Sequence, residues 1–176
     1  LGLALIWSRR LGAPIGRHSP RRRRRDGLHF VPEERLGRGA VPSISLARNT
    51  LLTRTEPVTP FGWIRPGRAA ALARRLISAY DVKAGGPDAP ARSLSGGNLQ
   101  KFIVGREIDA RPRLLIVSQP TWGVDVGAAA QIRAALLALR DAGCAVLVVS
   151  KDLDELFEGS DRLVVIARGR LAPSLP

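Results

Sequence analysis

A glycine-rich segment at residues 94–98 has the residue types and spacing needed to contact a phosphate group. Its serine offers a hydroxyl, and its two adjacent glycines allow a backbone to come close to a ligand. Apolar side chains at helical spacing follow over residues 99–108, and the start of a helix directs free N–H groups toward an anion. The segment therefore predicts either a phosphate contact or an ordinary glycine-rich helix start. Its members are Leu94, Ser95, Gly96, Gly97 and Asn98.

Alternating apolar runs and helical patterns predict the elements that position this segment. Strands are predicted at 28–31, 114–117, 145–149 and 163–166, and helices at 66–82, 99–108, 126–142 and 152–158. From residue 114 onward, unbroken apolar strands alternate with helices, which predicts an α/β protein with a parallel sheet covered on both faces. Prolines interrupt residues 40–65, where we expect short helical turns and loops.

The positive charge of the chain is concentrated in its first part. The 28 Lys and Arg residues and 15 Asp and Glu residues give a formal net charge of +13. Residues 1–75 hold 16 basic and 4 acidic side chains, and residues 76–176 hold 12 and 11. The block Arg21–Arg25 could bind nucleic acid or acidic lipid headgroups, or form a solvated face. A hydrophobic content of 45% is that of a globular protein and disfavours disorder.

Cysteine and histidine usage excludes the common metal sites. Cys144 is the only cysteine, which excludes an internal disulfide and a cysteine-based zinc site, and we expect it in the core. His18 and His29 lie far from other ligand types, so we expect them to be ordinary surface or strand residues. The apolar start Leu1–Trp7 is too short to span a bilayer, which takes about 20 residues. No membrane-crossing segment is predicted.

Further motifs occur in a specific order around the glycine-rich segment. They are Val31–Gly39, Gln119–Thr121, Gly123–Gly127 and Ser160–Arg170. Together with Leu-Ser-Gly-Gly-Asn-x-Gln-Lys, they resemble the nucleotide-binding domain of ABC transporters. The second of the two fused ATPase halves in importers of simple sugars and nucleosides is especially similar, over residues 16–172.

The resemblance implies an α/β P-loop NTPase domain of the ABC ATPase type with a helical subdomain. It implies that Leu94–Asn98, called the signature segment below, closes over the γ-phosphate of an ATP held by a partner half. Glu33 falls at the Q-loop position, where a glutamine usually contacts the metal and the transmembrane coupling surface. Asp125 falls in the D-loop, which communicates across the dimer, and it also fits a helix N-cap.

Three residues depart from the family pattern at its catalytic positions. Ser118, Gln119 and Lys151 stand where the family has the Walker B aspartate, the catalytic glutamate and the H-loop histidine. A serine supplies no carboxylate to Mg²⁺, and a neutral amide does not accept a proton from water as a carboxylate does. None of the lysines follows a glycine, so the Walker A motif is absent and we expect an N-terminally truncated domain. We therefore expect no catalytic residue in cis and no metal site within this chain.

The resemblance also implies an organisation and a function. Residues 1–35 are expected to be a remnant of the β-subdomain with the Q-loop segment, 36–105 the helical subdomain, and 106–176 the sheet core. The expected function is the ATP-binding subunit of an ABC importer for nucleosides or simple sugars, supplying the signature segment in trans. ATP and Mg²⁺ would be held mainly by the partner half.

The expected partners are the other nucleotide-binding half, the permease subunits and, indirectly, a substrate-binding protein, at the cytoplasmic face of the membrane. In the family the position of Arg21–Arg25 is a solvated helical turn, which disfavours nucleic acid. Two alternatives stay open: a catalytically silent structural or regulatory half, and a basic nucleic-acid-binding module.

Overall fold

Residues 15–55 and 65–175 are described by the computed structural model of this chain. The helices are α1 (Pro20–Arg25), α2 (Leu46–Asn49), α3 (Pro66–Ala79), α4 (Gly96–Asp109), α5 (Val126–Asp141) and α6 (Leu153–Gly159). The strands are β1 (Leu28–Val31), β2 (Leu114–Ser118), β3 (Ala145–Val149), β4 (Ile166–Ala167) and β5 (Arg170–Leu171). A 3₁₀ turn at Ala91–Ser93 precedes α4. The strands predicted at 28–31 and 145–149 are confirmed at both ends.

The three longer strands form a parallel sheet in the order β1-β2-β3. Leu28 lies beside Leu114, and Leu114 lies beside Ala145, so all three strands start at the same level. Their carboxyl ends consequently share one edge of the sheet. The loops that follow these strands are brought together there.

One face of the sheet packs on α4 and α5 and forms the main core. The fully buried apolar side chains on this face are Val31, Leu115 and Val117. Helix α5 presents a single apolar stripe, made of Ala128, Ile132, Leu136 and Leu139, because these residues recur every three to four positions. Cys144 is buried in the same core, which confirms the expectation for this residue.

The prediction of a fourth parallel strand at 163–166 was wrong. Ile166 pairs antiparallel with Leu171 in a small separate hairpin, β4–β5. The two residues between these strands, Arg168 and Gly169, both have positive φ angles, +48° and +75°. Such a pair suits a two-residue hairpin turn, which reverses the chain before it can reach the sheet.

Cover on both faces of the sheet was also a wrong expectation for the described residues. On the second face, Ile15 packs with Leu28 and Leu114 in a small cluster. Farther along the same face, Phe30, Leu147 and Val149 are 50%, 48% and 49% exposed. Strand β3 has no further strand beside it among the residues described. The exposed apolar part of the second face therefore extends to the outer side of β3, where no further strand pairs among the residues described.

We expect the isolated chain to bind a hydrophobic dye and to melt over a broad temperature range. An apolar face beside an open edge exposes both hydrophobic surface and unpaired backbone groups, which promotes association. Dye fluorescence and calorimetry measure the effect. The paired substitution Phe30→Ser and Leu147→Thr should reduce dye binding at least twofold, roughly in proportion to the apolar area removed. A sharp two-state melt without dye binding would contradict this expectation.

Other expectations fall on regions that the structure bounds differently or does not describe. Helix α3 ends at Ala79, before the predicted end at 82, and Asp81 has a φ angle of +45° that stops the helix. The predicted boundary at 105 falls inside α4, and the division into 1–35, 36–105 and 106–176 stays a prediction. Leu1–Trp7 and residues 56–64 lie outside the described residues.

Within the described ranges, no helix combines the length and apolar character needed to cross a membrane.

Candidate functional site

The residues at the expected Q-loop and catalytic positions lie where the parallel strands end, at one edge of the sheet. Glu33 follows β1, Ser118 ends β2, Gln119 follows it, and Lys151 follows β3. Gln119 is buried with a φ angle of +51°, and its N–H donates to the carbonyl of Val149 at 2.8 Å. Glu33 and Lys151 are exposed. The fold thus brings these positions together, while the roles that the resemblance implies for them stay predictions.

The signature segment is preorganised as the start of α4. Ser95 is the N-cap, and its Oγ accepts hydrogen bonds from the N–H of Asn98 at 3.4 Å and from Asn98 Nδ2 at 2.9 Å. Asn98 Oδ1 in turn accepts the N–H of Lys83 at 2.8 Å. Leu94 and Asn98 are half-buried, whereas Ser95 and Gly96 are exposed. The start of α4, at the positive end of the helix dipole, is therefore exposed at Ser95 and Gly96.

The two glycines of the signature segment allow close packing against neighbouring loops. A Cβ at Gly97 would lie 3.0 Å from Asp125 Oδ2 and 3.2 Å from the Cβ of Ala128. A Cβ at Gly96 would lie 3.1 Å from Nη1 of Arg35. A side chain at Gly97 would require Asp125 or Ala128 to shift by a few tenths of an ångström, and one at Gly96 would displace the end of the Arg35 side chain. The glycines thus fit a close approach between the signature segment and these neighbours.

Asp125 caps α5 directly beside the signature segment. Its Oδ1 accepts the N–H of Ala128 at 2.8 Å, as the N-cap prediction required. This hydrogen bond holds the pKa of Asp125 below its ordinary value. The carboxylate is therefore negative at neutral pH, on the outside of the turn that connects β2 to α5.

Arg35 joins three segments of the site and was not singled out by sequence reasoning. Its Nε donates to Oε1 of Gln100 at 3.2 Å, and its Nη2 donates to the carbonyl of Trp122. Burial lowers the pKa of Arg35. Gln100 belongs to the first turns of α4, and Trp122 belongs to the turn after β2. One guanidinium thus ties the segment after β1 to the signature helix and to the loop that carries Asp125.

Replacing Arg35 with alanine should loosen the signature segment. The loss of a charged hydrogen bond costs about 1.5 kcal/mol, so amide exchange at Gly96–Asn98 should become about tenfold faster. Hydrogen exchange followed by mass spectrometry measures the effect. The matched control is Arg38→Ala, because among the described residues Arg38 forms an ion pair with Glu34 alone, on the surface. Equal exchange in both variants would show that Arg35 does not hold the segment.

A buried charge network fixes α4 against β1 and the loops above it. His29 Nδ1 lies 2.8 Å from Glu107 Oε2, and Arg106 Nε donates to Glu107 Oε1 at 2.8 Å. Arg106 also donates to the carbonyls of Asn49 and Gly39 at 3.2 and 2.9 Å. His29 is a strand residue as expected, but its pairing with Glu107 was not foreseen because the partners are 78 residues apart.

The environment of Glu107 keeps this carboxyl ionised. Burial raises its pKa, but the hydrogen bond with His29 and the charge of Arg106 outweigh burial and hold the pKa below its ordinary value.

A second buried carboxyl contacts the loop after β2, where Thr121 Oγ1 donates to Oε1 of Glu155 at 2.7 Å. This contact attaches the loop after β2 to α6.

Curated relatives of this chain are ATP-binding proteins of import systems. The chain is 40% identical over 164 residues to the ribose import ATP-binding protein RbsA of Chelativorans sp., covering 93% of this chain and 32% of the relative. It is 41% identical over 166 residues to the guanosine import ATP-binding protein NupO of Bacillus subtilis, with the same coverage. No family model matches. The chain spans about a third of the length of these relatives.

Solved structures with the same fold are ATP-binding cassettes. One is a dimeric cassette in a post-hydrolysis state bound to ADP and Pi, with a TM-score of 0.70 and 21% identity over 86% of this chain and 63% of that one. Another is a nucleotide-free cassette from an ABC transporter, with a TM-score of 0.69 and 19% identity over 92% of this chain and 66% of that one. Identity this low demonstrates a shared fold and no more.

Proposed function

Because the chain belongs to the ABC-type ATPases by homology and by fold, we propose that it forms part of the ATP-binding subunit of an ABC importer. In this proposal its signature segment, Leu94–Asn98, completes the ATP site of a partner nucleotide-binding half. The relatives named for ribose and guanosine import support nucleosides or simple sugars as the transported class. The permease, the partner half and the cytoplasmic membrane face belong to the same proposal.

The observation that carries this proposal is the intact signature segment beside a sheet edge without catalytic carboxylates. Ser95 and Gly96 are exposed at the start of a 14-residue helix, where N–H groups and the helix dipole favour phosphate. The ends of β2 and β3 present Ser118, Gln119 and Lys151 instead. These features of the described residues support a chain that contributes phosphate contacts but not the groups that bind Mg²⁺ and activate water.

The hydrogen-bond donors and the metal-ligating groups at the site indicate which components of MgATP this chain can bind. A serine hydroxyl and helical N–H groups at the signature segment fit the oxygens of a γ-phosphate. At the end of β2, Ser118 and Gln119 offer no carboxylate, which is the ligand that Mg²⁺ prefers, so the residues present do not fit the metal. ATP and Mg²⁺ are accordingly assigned mainly to the partner half, with this chain contributing phosphate contacts.

The permease contact is assigned to the region after β1. Glu33 is exposed immediately beyond the strand, at the position where the family has its Q-loop residue. Arg35, two residues later, connects this region to the signature helix through Gln100. Movement at Glu33 would therefore reach the signature segment through one side chain.

The experiment that tests the proposal is the substitution Ser95→Arg in the assembled importer, with ATP hydrolysis as the readout. Loss of hydrolysis supports the contribution in trans. Full activity would favour the alternative of a catalytically silent structural half, which the missing carboxylates at Ser118 and Gln119 also allow.

A further inference from the structure

A second concave site lies at the opposite end of the sheet from the signature segment. It is a cavity of about 500 Å³ between α1, the start of β1, and the loop that joins α4 to β2. This volume is in the range of small-molecule sites. Five arginines border the cavity: Arg22, Arg24, Arg25, Arg111 and Arg113. They come from two parts of the chain that the fold brings together.

Three of the five arginines have no carboxylate partner among the described residues. Asp26 is the one carboxylate in its lining, and it already pairs with Arg22 at 3.1 Å and His18 at 3.0 Å. The other histidine of the lining, His29, faces Glu107. Among the residues described, no carboxylate pairs with Arg24, Arg25 or Arg111.

The backbone brings the loop that carries Arg111 and Arg113 beside the end of α1. Gly27 has a φ angle of +92°, and a Cβ there would lie 2.8 Å from Cγ of Arg113. The absence of a side chain at Gly27 lets the stem of Arg113 lie against the backbone beside α1. The carbonyl of Gly27 also accepts the N–H groups of Arg113 and Leu114, at 2.9 and 3.1 Å. Arg111 is held next to them by its N–H bond to the carbonyl of Ile108 at 2.9 Å.

We propose that this arginine cavity binds a compact anion with two or more phosphate groups. Guanidinium groups recognise phosphate oxygens through paired, charge-assisted hydrogen bonds, and several of them converging on one space match a diphosphate better than a single charge. A concave site of this size admits a free diphosphate or a phosphorylated headgroup but not the side of a nucleic-acid duplex, whose recognition needs an extended basic surface. The site is separate from the signature segment and does not depend on the function proposed for that segment.

Equilibrium dialysis of the full chain against radiolabelled inorganic diphosphate tests the proposal. Unaltered protein should bind with one site per chain. The double variant Arg24→Gln, Arg25→Gln should bind at least about tenfold more weakly, because it removes two charge-assisted contacts. The matched control is Arg21→Gln, Arg92→Gln, which removes the same charge from exposed positions outside the cavity and should change affinity by less than about twofold.

Further variants separate the possible outcomes. Arg111→Asn should also weaken binding at least about fivefold, because it removes a guanidinium from the cavity. Asparagine is chosen because it tolerates the positive φ angle at this position. Competition by phosphatidylcholine vesicles that contain phosphatidylinositol bisphosphate, if lost in the cavity variants, would identify a lipid headgroup as the source of the phosphates. Equal losses in the cavity and control variants, or tighter binding of duplex DNA than of diphosphate, would overturn the proposal.

Discussion

Replacing Ser95 with arginine is expected to abolish ATP hydrolysis by the assembled importer. Ser95 caps α4, and its hydroxyl is exposed where the first N–H groups of the helix point. An arginine would occupy the space in front of those groups and would remove the hydrogen bonds to Asn98. Loss of phosphate-directed donors at a reaction centre costs about a hundredfold or more in rate, so hydrolysis should fall at least that far. Release of inorganic phosphate by the purified complex measures it.

A matched serine separates the loss of a helix cap from the loss of a phosphate contact. Ser19 is the exposed N-cap of α1, and its side chain accepts the N–H of Arg22 at 3.3 Å. Ser19→Arg therefore removes a comparable N-cap hydrogen bond far from the signature segment, at a cost of about 1 kcal/mol in helix stability. We expect this variant to retain most of the activity. Unchanged hydrolysis in Ser95→Arg would reject the role in trans and favour a silent half.

Replacing Glu107 with glutamine is expected to destabilise the core around α4 by about 3 to 5 kcal/mol, because it removes one partner of a buried charge network. Glu107 is fully buried, and the substitution removes the negative charge beside Arg106 and leaves one amide oxygen in place of the two carboxylate oxygens that face Arg106 and His29. Native-state hydrogen exchange at the amides of α4 should accelerate at least about a hundredfold. The control is Glu158→Gln, whose side chain pairs with Arg133 on the surface at 3.6 Å. Similar exchange in both variants would contradict the importance of the network.

The same network predicts a stability loss in acid. The pKa of Glu107 is lower in the folded chain than its ordinary value, so its contribution is present above the pKa of an unfolded glutamate, about 4.3. As the pH falls through the lower folded pKa, the folded state must take up a proton and this contribution is lost. Exchange at α4, corrected for intrinsic rates, should therefore rise below about pH 4. The Glu107→Gln variant should lack this component.

Local structure was predictable wherever its cause lies within a few residues. Ser95 and Asp125 cap helices because their side chains accept N–H groups three residues ahead. The apolar runs at 28–31 and 145–149 form strands at those bounds. The ordered motifs likewise sufficed to predict the ABC ATPase fold.

Sequence reasoning failed where the path of the chain decides which surfaces meet. The run at 163–166 is as apolar as the true core strands, yet Arg168 and Gly169 turn it into a local hairpin. Apolar Leu147 was expected under cover, and only the arrangement of elements shows that it is half-exposed. The hydrophobic pattern of a segment indicates its preferred secondary structure, but it does not show which elements pack against it.

By itself, the sequence determined the types of the elements from α3 to α6. It also predicted the signature segment and the replacement of the catalytic residues by Ser118, Gln119 and Lys151. Only the tertiary structure decided that Arg35 ties Gln100 to Trp122 and that His29 pairs with Glu107. The physical reason is separation along the chain: these partners are 65 to 87 residues apart. A helix cap is encoded by adjacent residues, whereas a pairing at that distance exists only once the sheet and α4 have placed both side chains in one space.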